Sequence, residues 1–186
     1  CRTGSAPRTS RMTLHHTAGS RSFDRETSIE KMRAIQSYHM DGRSKQGKED
    51  FKDIGYHFVV DGKGRIAEGR PTDVLGAHAG RANRGNIGIS LMGNFNKQQP
   101  TKEQLESLTR LAAFLAMKYG IDVTREGKFE GHYRYGNTSC PGKNVIAVLP
   151  DLKSRIKGEK EALLRPSART AEPDKFASFV PVNVVA

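Results

Sequence analysis

The sequence has no tryptophan and only two cysteines, Cys1 and Cys140, among its 186 residues. A scaffold stapled by disulfides is thereby excluded, and so is a zinc ribbon built on four cysteines. Any metal site has to draw mainly on the six histidines. Long apolar runs are also missing. No stretch of about 18 apolar residues exists, so no membrane-spanning helix is expected. Acidic residues are few beside basic ones, 20 against 31, which leaves a net charge of +11. That excess points to an acidic partner such as a nucleic acid, an anionic membrane or a wall polymer. It is spread along the chain as +4 over residues 1–50, +5 over 51–150 and +2 over 151–186. No basic arm, RNA-binding aromatic motif or zinc-finger spacing accompanies it, so nucleic acid is not an expected partner.

What is present suits one soluble domain of ordinary size. Residues 1–10 are polar, carry Gly, Ser and Pro, and read as a linker. Cys1 followed by Arg2-Thr3-Gly4-Ser5-Ala6-Pro7 has the form of a lipidated cysteine on a flexible tether, which makes Cys1 a candidate lipid anchor. A boundary drawn there for any other reason gives the same residues.

Arg11 to Thr17 alternates as a strand, with Met12, Leu14 and His16 on one face and Thr13, His15 and Thr17 on the other. Thr27 or Ser28 can cap a helix reaching about His39, with His39 on its surface. Tyr56 to Val60, the turn Asp61-Gly62-Lys63-Gly64 and Arg65 to Glu68 form a hairpin pattern. Ile87 to Met92 reads as a central strand whose Gly88 signals close packing or a bulge. Thr101 and Gln104 form a capping box that opens a helix to about Gly120. Lys128 to Gly131 is a short strand, and Pro150 can open a last helix to about Lys157. Residues 158–186 lose periodicity and read as a tail, with Phe179 to Val185 a candidate edge strand. Alternating strands and helices make the fold class α/β.

The histidines carry the chemistry. His15 and His16 are adjacent on a strand and point to opposite faces, so both cannot serve one ion. The Met12 and Leu14 face looks like core, which leaves His15 facing a cleft. His132 and Cys140 are separated by a polar, turn-rich loop long enough to bring both to one point. Two histidines and one cysteinate make a three-ligand zinc site with an open fourth position, the arrangement of catalytic zinc. A buried, inert thiol is the plainer reading of Cys140.

Five motifs occur in order: Leu14-His15-His16-Thr17, Asp53-Ile54-Gly55-Tyr56-His57-Phe58, Gly76-Ala77-His78-Ala79, Asn86-Ile87-Gly88-Ile89, and Gly131-His132 with Thr138-Ser139-Cys140-Pro141-Gly142. The chain resembles the type-2 N-acetylmuramoyl-L-alanine amidases over about residues 11–156. That superfamily includes the peptidoglycan recognition proteins and the bacteriophage lysozyme-type amidases. The resemblance implies a single domain over residues 11–157, with a central mixed β-sheet flanked by helices and a zinc site in a surface groove. It implies zinc as cofactor, with His15, His132 and Cys140 as ligands. Tyr56 matches the tyrosine placed beside the zinc-bound water, and Thr138 matches a position held by threonine in recognition-protein amidases and by lysine in the phage enzymes. Both are expected catalytic residues. His78 matches a groove histidine, and a structural histidine is its equal alternative. His57, on the other face from Tyr56, is expected to be structural.

The implied substrate is peptidoglycan, and the implied reaction is hydrolysis of the amide between the lactyl group of N-acetylmuramic acid and L-alanine. A non-catalytic peptidoglycan-binding module of the same fold is the alternative. The loop from Arg81 to Asn86 reads as solvated, and its Asn83 is a candidate to line the groove and meet stem-peptide carboxylates. In recognition proteins the pair three and two residues before the aspartate of Asp-Ile-Gly-Tyr helps separate diaminopimelate from lysine. Here that pair is Asp50-Phe51, which matches neither Gly-Trp nor Asn-Phe fully. Phe51 is the expected contact, Asp50 disfavours an extra carboxylate, and the preference stays open. The expected setting is periplasmic or extracellular, and the expected state is a monomer.

Overall fold

The computed structural model describes residues 8–42 and 51–165. Cys1, Asp50 and the stretch from Phe179 to Val185 lie outside the described residues. Among the described residues, five strands form one mixed sheet: β1 (Arg11–His16), β2 (Phe58–Val60), β3 (Ile66–Glu68), β4 (Asn86–Leu91) and β5 (Phe129–Gly131). Their order across the sheet is β3-β2-β4-β1-β5. β1 lies between β4 and β5, parallel to both, and β2 is parallel to β4. Only the β2–β3 hairpin is antiparallel, as its short turn requires.

Three helices cover the sheet: α1 (Arg25–Ser37), α2 (Lys102–Tyr119) and α3 (Lys143–Leu164). The alternation seen in β1 sorts the faces. Met12 and Leu14 join Ile87, Ile89 and Leu91 of β4 and Phe58 and Val60 of β2 in the main core. Leu108, Leu111 and Leu115 of α2 and Val145, Leu149, Leu152 and Ile156 of α3 close that core. On the other face Met32 of α1 packs with Ile54, Val59 and Met92 in a smaller cluster.

α2 starts where its capping box predicts. Thr101 Oγ1 accepts from Gln104 N–H at 3.0 Å, and Gln104 Oε1 accepts from Thr101 N–H at 3.2 Å. It ends on Gly120 in the left-handed region, φ 66°, where glycine has no Cβ penalty.

Two helix boundaries differ from the sequence reading. Asp24, not Thr27 or Ser28, caps α1, with its Oδ2 accepting from Thr27 N–H at 2.8 Å. The helix then widens into a π-helical turn over Tyr38–Gly42. α3 begins at Lys143 rather than Pro150 and continues beyond Lys157 to Leu164, so the non-periodic tail starts later than expected. Pro150 sits inside it on the exposed side. Proline in a helix interior costs about 3 kcal/mol. Burying four large apolar side chains at helical spacing contributes roughly 1.5–3 kcal/mol each and outweighs it.

Candidate metal centre

The C-terminal end of β1 builds the site. Its inward parity sends His16 toward Phe95 of the main core, ring centroids 6.2 Å apart, where His16 Nδ1 accepts from Phe95 N–H at 3.3 Å. His15 therefore leaves the sheet on the opposite face, 1% exposed. There it meets His132, in the short 3-10 turn that follows β5, at a ring-centroid distance of 4.6 Å. Cys140 enters from the loop before α3, with its Sγ 3.7 Å from His15 Nδ1. The donor atoms of His15, His132 and Cys140 all lie within 4.8 Å of one another. Among the described residues this is the one such cluster of metal-ligating groups.

Two imidazoles and one thiol, with no carboxylate and no fourth protein donor in the group, suit a tetrahedral zinc with one open position. The electrostatics agree with a cationic guest. Burial, and then the charges of His78, His132 and His16, hold His15 well below the ordinary imidazole value. Burial also lowers His132. Both rings therefore stay neutral, the form a metal needs. Burial pushes the Cys140 thiol up to about 11, and the backbone N–H of His16, 3.4 Å from its sulfur, works in the opposite direction. A metal cation is the missing charge that would turn this thiol into a thiolate.

Tyr56 stands beside the cluster, its ring centroid 5.2 Å from that of His15. It does not continue the alternation of Phe58 and Val60, because β2 begins only at Phe58. Instead it leans on Met32, Ile54, Val59 and Met92 on the α1 side. Burial, and next the charge of Cys140, raise its phenol above the ordinary value. The buried Ser90 hydroxyl draws it back slightly, without closing a hydrogen bond of normal geometry. Thr138 lies two residues before Cys140, and its Oγ1 accepts from Cys140 N–H at 3.2 Å. That bond uses an acceptor lone pair and leaves the hydroxyl proton free to donate.

Three placements differ from expectation. His78 is buried, 7% exposed, and lies behind His15 rather than on a groove wall. Its Nδ1 is 3.0 Å from His15 Nε2. Asn83 turns its Oδ1 inward to accept from the N–H groups of His78 and Ala79, at 3.0 and 2.7 Å. Its amide oxygen thereby holds the loop that carries His78. His39 is buried too, not on the helix surface. Its Nδ1 accepts from Gly55 N–H at 3.1 Å, and its ring meets those of Phe51 and Tyr56 at 5.3 and 5.7 Å. His39 thus ties the π-helical turn to the Asp-Ile-Gly-Tyr segment and helps to seat Tyr56. Nothing in helical spacing announces this, since the turn after α1 departs from the α-helical period. His57 is structural as expected: its Nδ1 accepts from Gly88 N–H at 2.9 Å, and its Nε2 donates to the Val74 carbonyl at 3.0 Å.

Comparison with known proteins identifies the family and the fold. The chain matches the family model Amidase_2, N-acetylmuramoyl-L-alanine amidase, over residues 5–143. It is 38% identical over 140 residues to peptidoglycan-recognition protein SD of Drosophila simulans, covering 75% of this chain and 70% of that protein. Its fold is similar to Drosophila PGRP-LB, solved as a mutant in complex with tracheal cytotoxin: TM-score 0.64, 31% identity, 76% and 79% of the two chains. It is similar to the N-acetylmuramoyl-L-alanine amidase LysC of Clostridium intestinale as well, with TM-score 0.64, 27% identity, and 83% and 89% covered. The chain belongs to the N-acetylmuramoyl-L-alanine amidase family, the type-2 amidases and peptidoglycan recognition proteins.

Proposed function

We propose that the protein is a zinc-dependent peptidoglycan amidase that cleaves the bond between the lactyl carbonyl of N-acetylmuramic acid and the amine of L-alanine. The observation that carries this reading is the convergence of His15, His132 and Cys140 within 4.8 Å, with no fourth protein ligand in the group. A binding module has no need of an open metal position beside a half-buried tyrosine. Zinc held by these three residues would supply Lewis acidity, activating water and polarising the carbonyl.

The chain's own groups do the rest. Tyr56 keeps its proton at neutral pH, because burial raises its phenol, and so serves as a hydrogen-bond donor to the oxyanion that develops on the lactyl oxygen. Thr138, with its acceptor side engaged by Cys140 N–H, donates a second bond from the opposite chain segment. Phe51, packed on His39 near Tyr56, offers an apolar edge to the stem peptide. Peptidoglycan lies outside the cytoplasm, so we infer a periplasmic or extracellular site of action. Among the described residues no helix is long and apolar enough to cross a membrane.

The test is digestion of purified peptidoglycan. The expected result is new L-alanyl amino termini with intact glycan strands, lost on chelation and restored by zinc. Cys140→Ser should abolish release and weaken zinc binding together. Full activity in that variant or in zinc-stripped protein would overturn the mechanism. Stoichiometric zinc and tight muropeptide binding with no amide cleavage would assign the chain to recognition instead. The resemblance to recognition proteins such as SD makes that the second reading.

A further inference from the structure

His78 belongs to none of the roles above, yet it is buried and both of its ring nitrogens are engaged. Its Nε2 lies 3.1 Å from the backbone carbonyl of Asn86, and its Nδ1 lies 3.0 Å from His15 Nε2. A carbonyl oxygen only accepts, so Nε2 of His78 must carry the proton. The ring is buried, and its hydrogen-bond partners among the described residues include no carboxylate to hold a second proton, so it is neutral and its Nδ1 is bare. A bare Nδ1 only accepts, so His15 Nε2 must donate. An imidazole binds a metal through a lone pair, and with Nε2–H of His15 engaged by His78 that lone pair is on Nδ1. That atom is the one facing Cys140 Sγ at 3.7 Å.

We propose that His78 is a positioning residue for His15, fixing its Nε2–H tautomer so that the Nδ1 lone pair points into the cluster with His132 and Cys140. The relay runs from the cluster through two imidazoles and ends on the backbone of β4. Metal-binding histidines commonly anchor their second nitrogen on a carboxylate or a carbonyl. Here an imidazole is inserted between the ligand and the carbonyl.

The sequence around His78 is arranged to hold this ring. A Cβ at Gly88, the β4 residue opposite Thr13, would lie 2.6 Å from the His78 ring, and a Cβ at Gly76 would lie equally close. Gly88 clears space that the His78 ring fills, and Gly76 clears space shared by the rings of His78 and His57. Asn83 pins the backbone of His78 from the other end. With 7% of its surface exposed, His78 has little to offer a ligand in the groove.

The proposal rests on the zinc reading for its consequence but not for its geometry, and the experiment separates the two. Long-range proton–nitrogen NMR on the metal-free full chain reads ring tautomers directly. His15 and His78 are both expected as Nε2–H forms. Zinc affinity is then measured by competition with a chromophoric chelator. His78→Phe keeps a ring but loses both nitrogens, and it should release His15 to a mixture of tautomers and weaken zinc about 10–100-fold. His78→Asn keeps an acceptor where Nδ1 stood and should return affinity to within a few-fold of the parent. Gly88→Ala should weaken zinc by displacing the ring, without touching a ligand. An Nδ1–H tautomer of His15 in the parent protein would overturn the relay, even if His78→Phe does not fold. Parental zinc affinity in His78→Phe would overturn it too. A parent protein with the expected tautomers and no zinc affinity would leave the relay standing and remove the proposed function.

Discussion

At the scale of single residues, Tyr56 and Thr138 flank the cluster from different segments, and each presents a hydroxyl rather than a charge. Removing one oxyanion donor in other hydrolases costs about 10²–10³ in turnover. Tyr56→Phe keeps the ring that packs on Met32 and Val59, so it should lower kcat by about that factor with a small change in KM. Thr138→Val removes a hydroxyl that also accepts from Cys140 N–H, so it should lower kcat and loosen zinc together. Steady-state kinetics on a soluble muropeptide, with zinc content measured alongside, distinguishes the two patterns. Unchanged kcat in Tyr56→Phe would remove the tyrosine from the chemistry. The choice of His15 over His16 was legible in the sequence because strand parity is strict: a single step along β1 changes the face. The burial of His78 and the inward turn of the Asn83 amide oxygen were not legible. Their partners are Asn86 carbonyl, His15 and two backbone N–H groups, and nothing in a loop sequence tells an amide turned inward from one turned toward solvent.

At the scale of elements, strength and legibility follow how local the determining contacts are. α2 is set by its own ends, the Thr101–Gln104 box and the left-handed Gly120, and the sequence reading located it closely. Thr101 Oγ1 also donates to the Gly62 carbonyl at 3.0 Å, tying the helix to the hairpin turn. Thr101→Ala should therefore destabilise by about 1–2 kcal/mol, at the upper end for a lost cap. α3 is set by distant contacts instead. Val145, Leu149, Leu152 and Ile156 face the sheet and carry the helix through Pro150, which local rules alone read as a start. Pro150→Ala should then stabilise the protein, by about 1–3 kcal/mol after allowing for the freer unfolded chain. Urea midpoints at constant slope would read both changes, and a destabilised Pro150→Ala would mean that packing depends on a bend at the proline.

At the scale of the whole molecule, the feature that matters most is the collection of neutral histidines around one end of the sheet. His15, His16, His57, His78 and His132 all sit below the ordinary imidazole value, in each case chiefly through burial. The unfolded chain takes up protons near pH 6.5, while the native chain resists them down to lower pH, to about 3 for His78. Between those values the unfolded state binds more protons, so stability must fall as pH falls. Each imidazole that stays neutral contributes a slope of about 1.4 kcal/mol per pH unit. The metal-free protein should therefore be most stable above pH 6.5 and should lose stability progressively and steeply below it, well before its carboxylates titrate. Denaturant midpoints of chelator-treated protein at pH 7.5, 6.5, 5.5 and 4.5 would show the decline, and a flat profile across that window would mean that these rings are not held neutral in the native state. His78→Phe removes one of the five titrating rings and should make the decline shallower. Zinc added at neutral pH should raise the midpoint by mass action and lose that effect on acidification, because the same rings must be unprotonated to bind it.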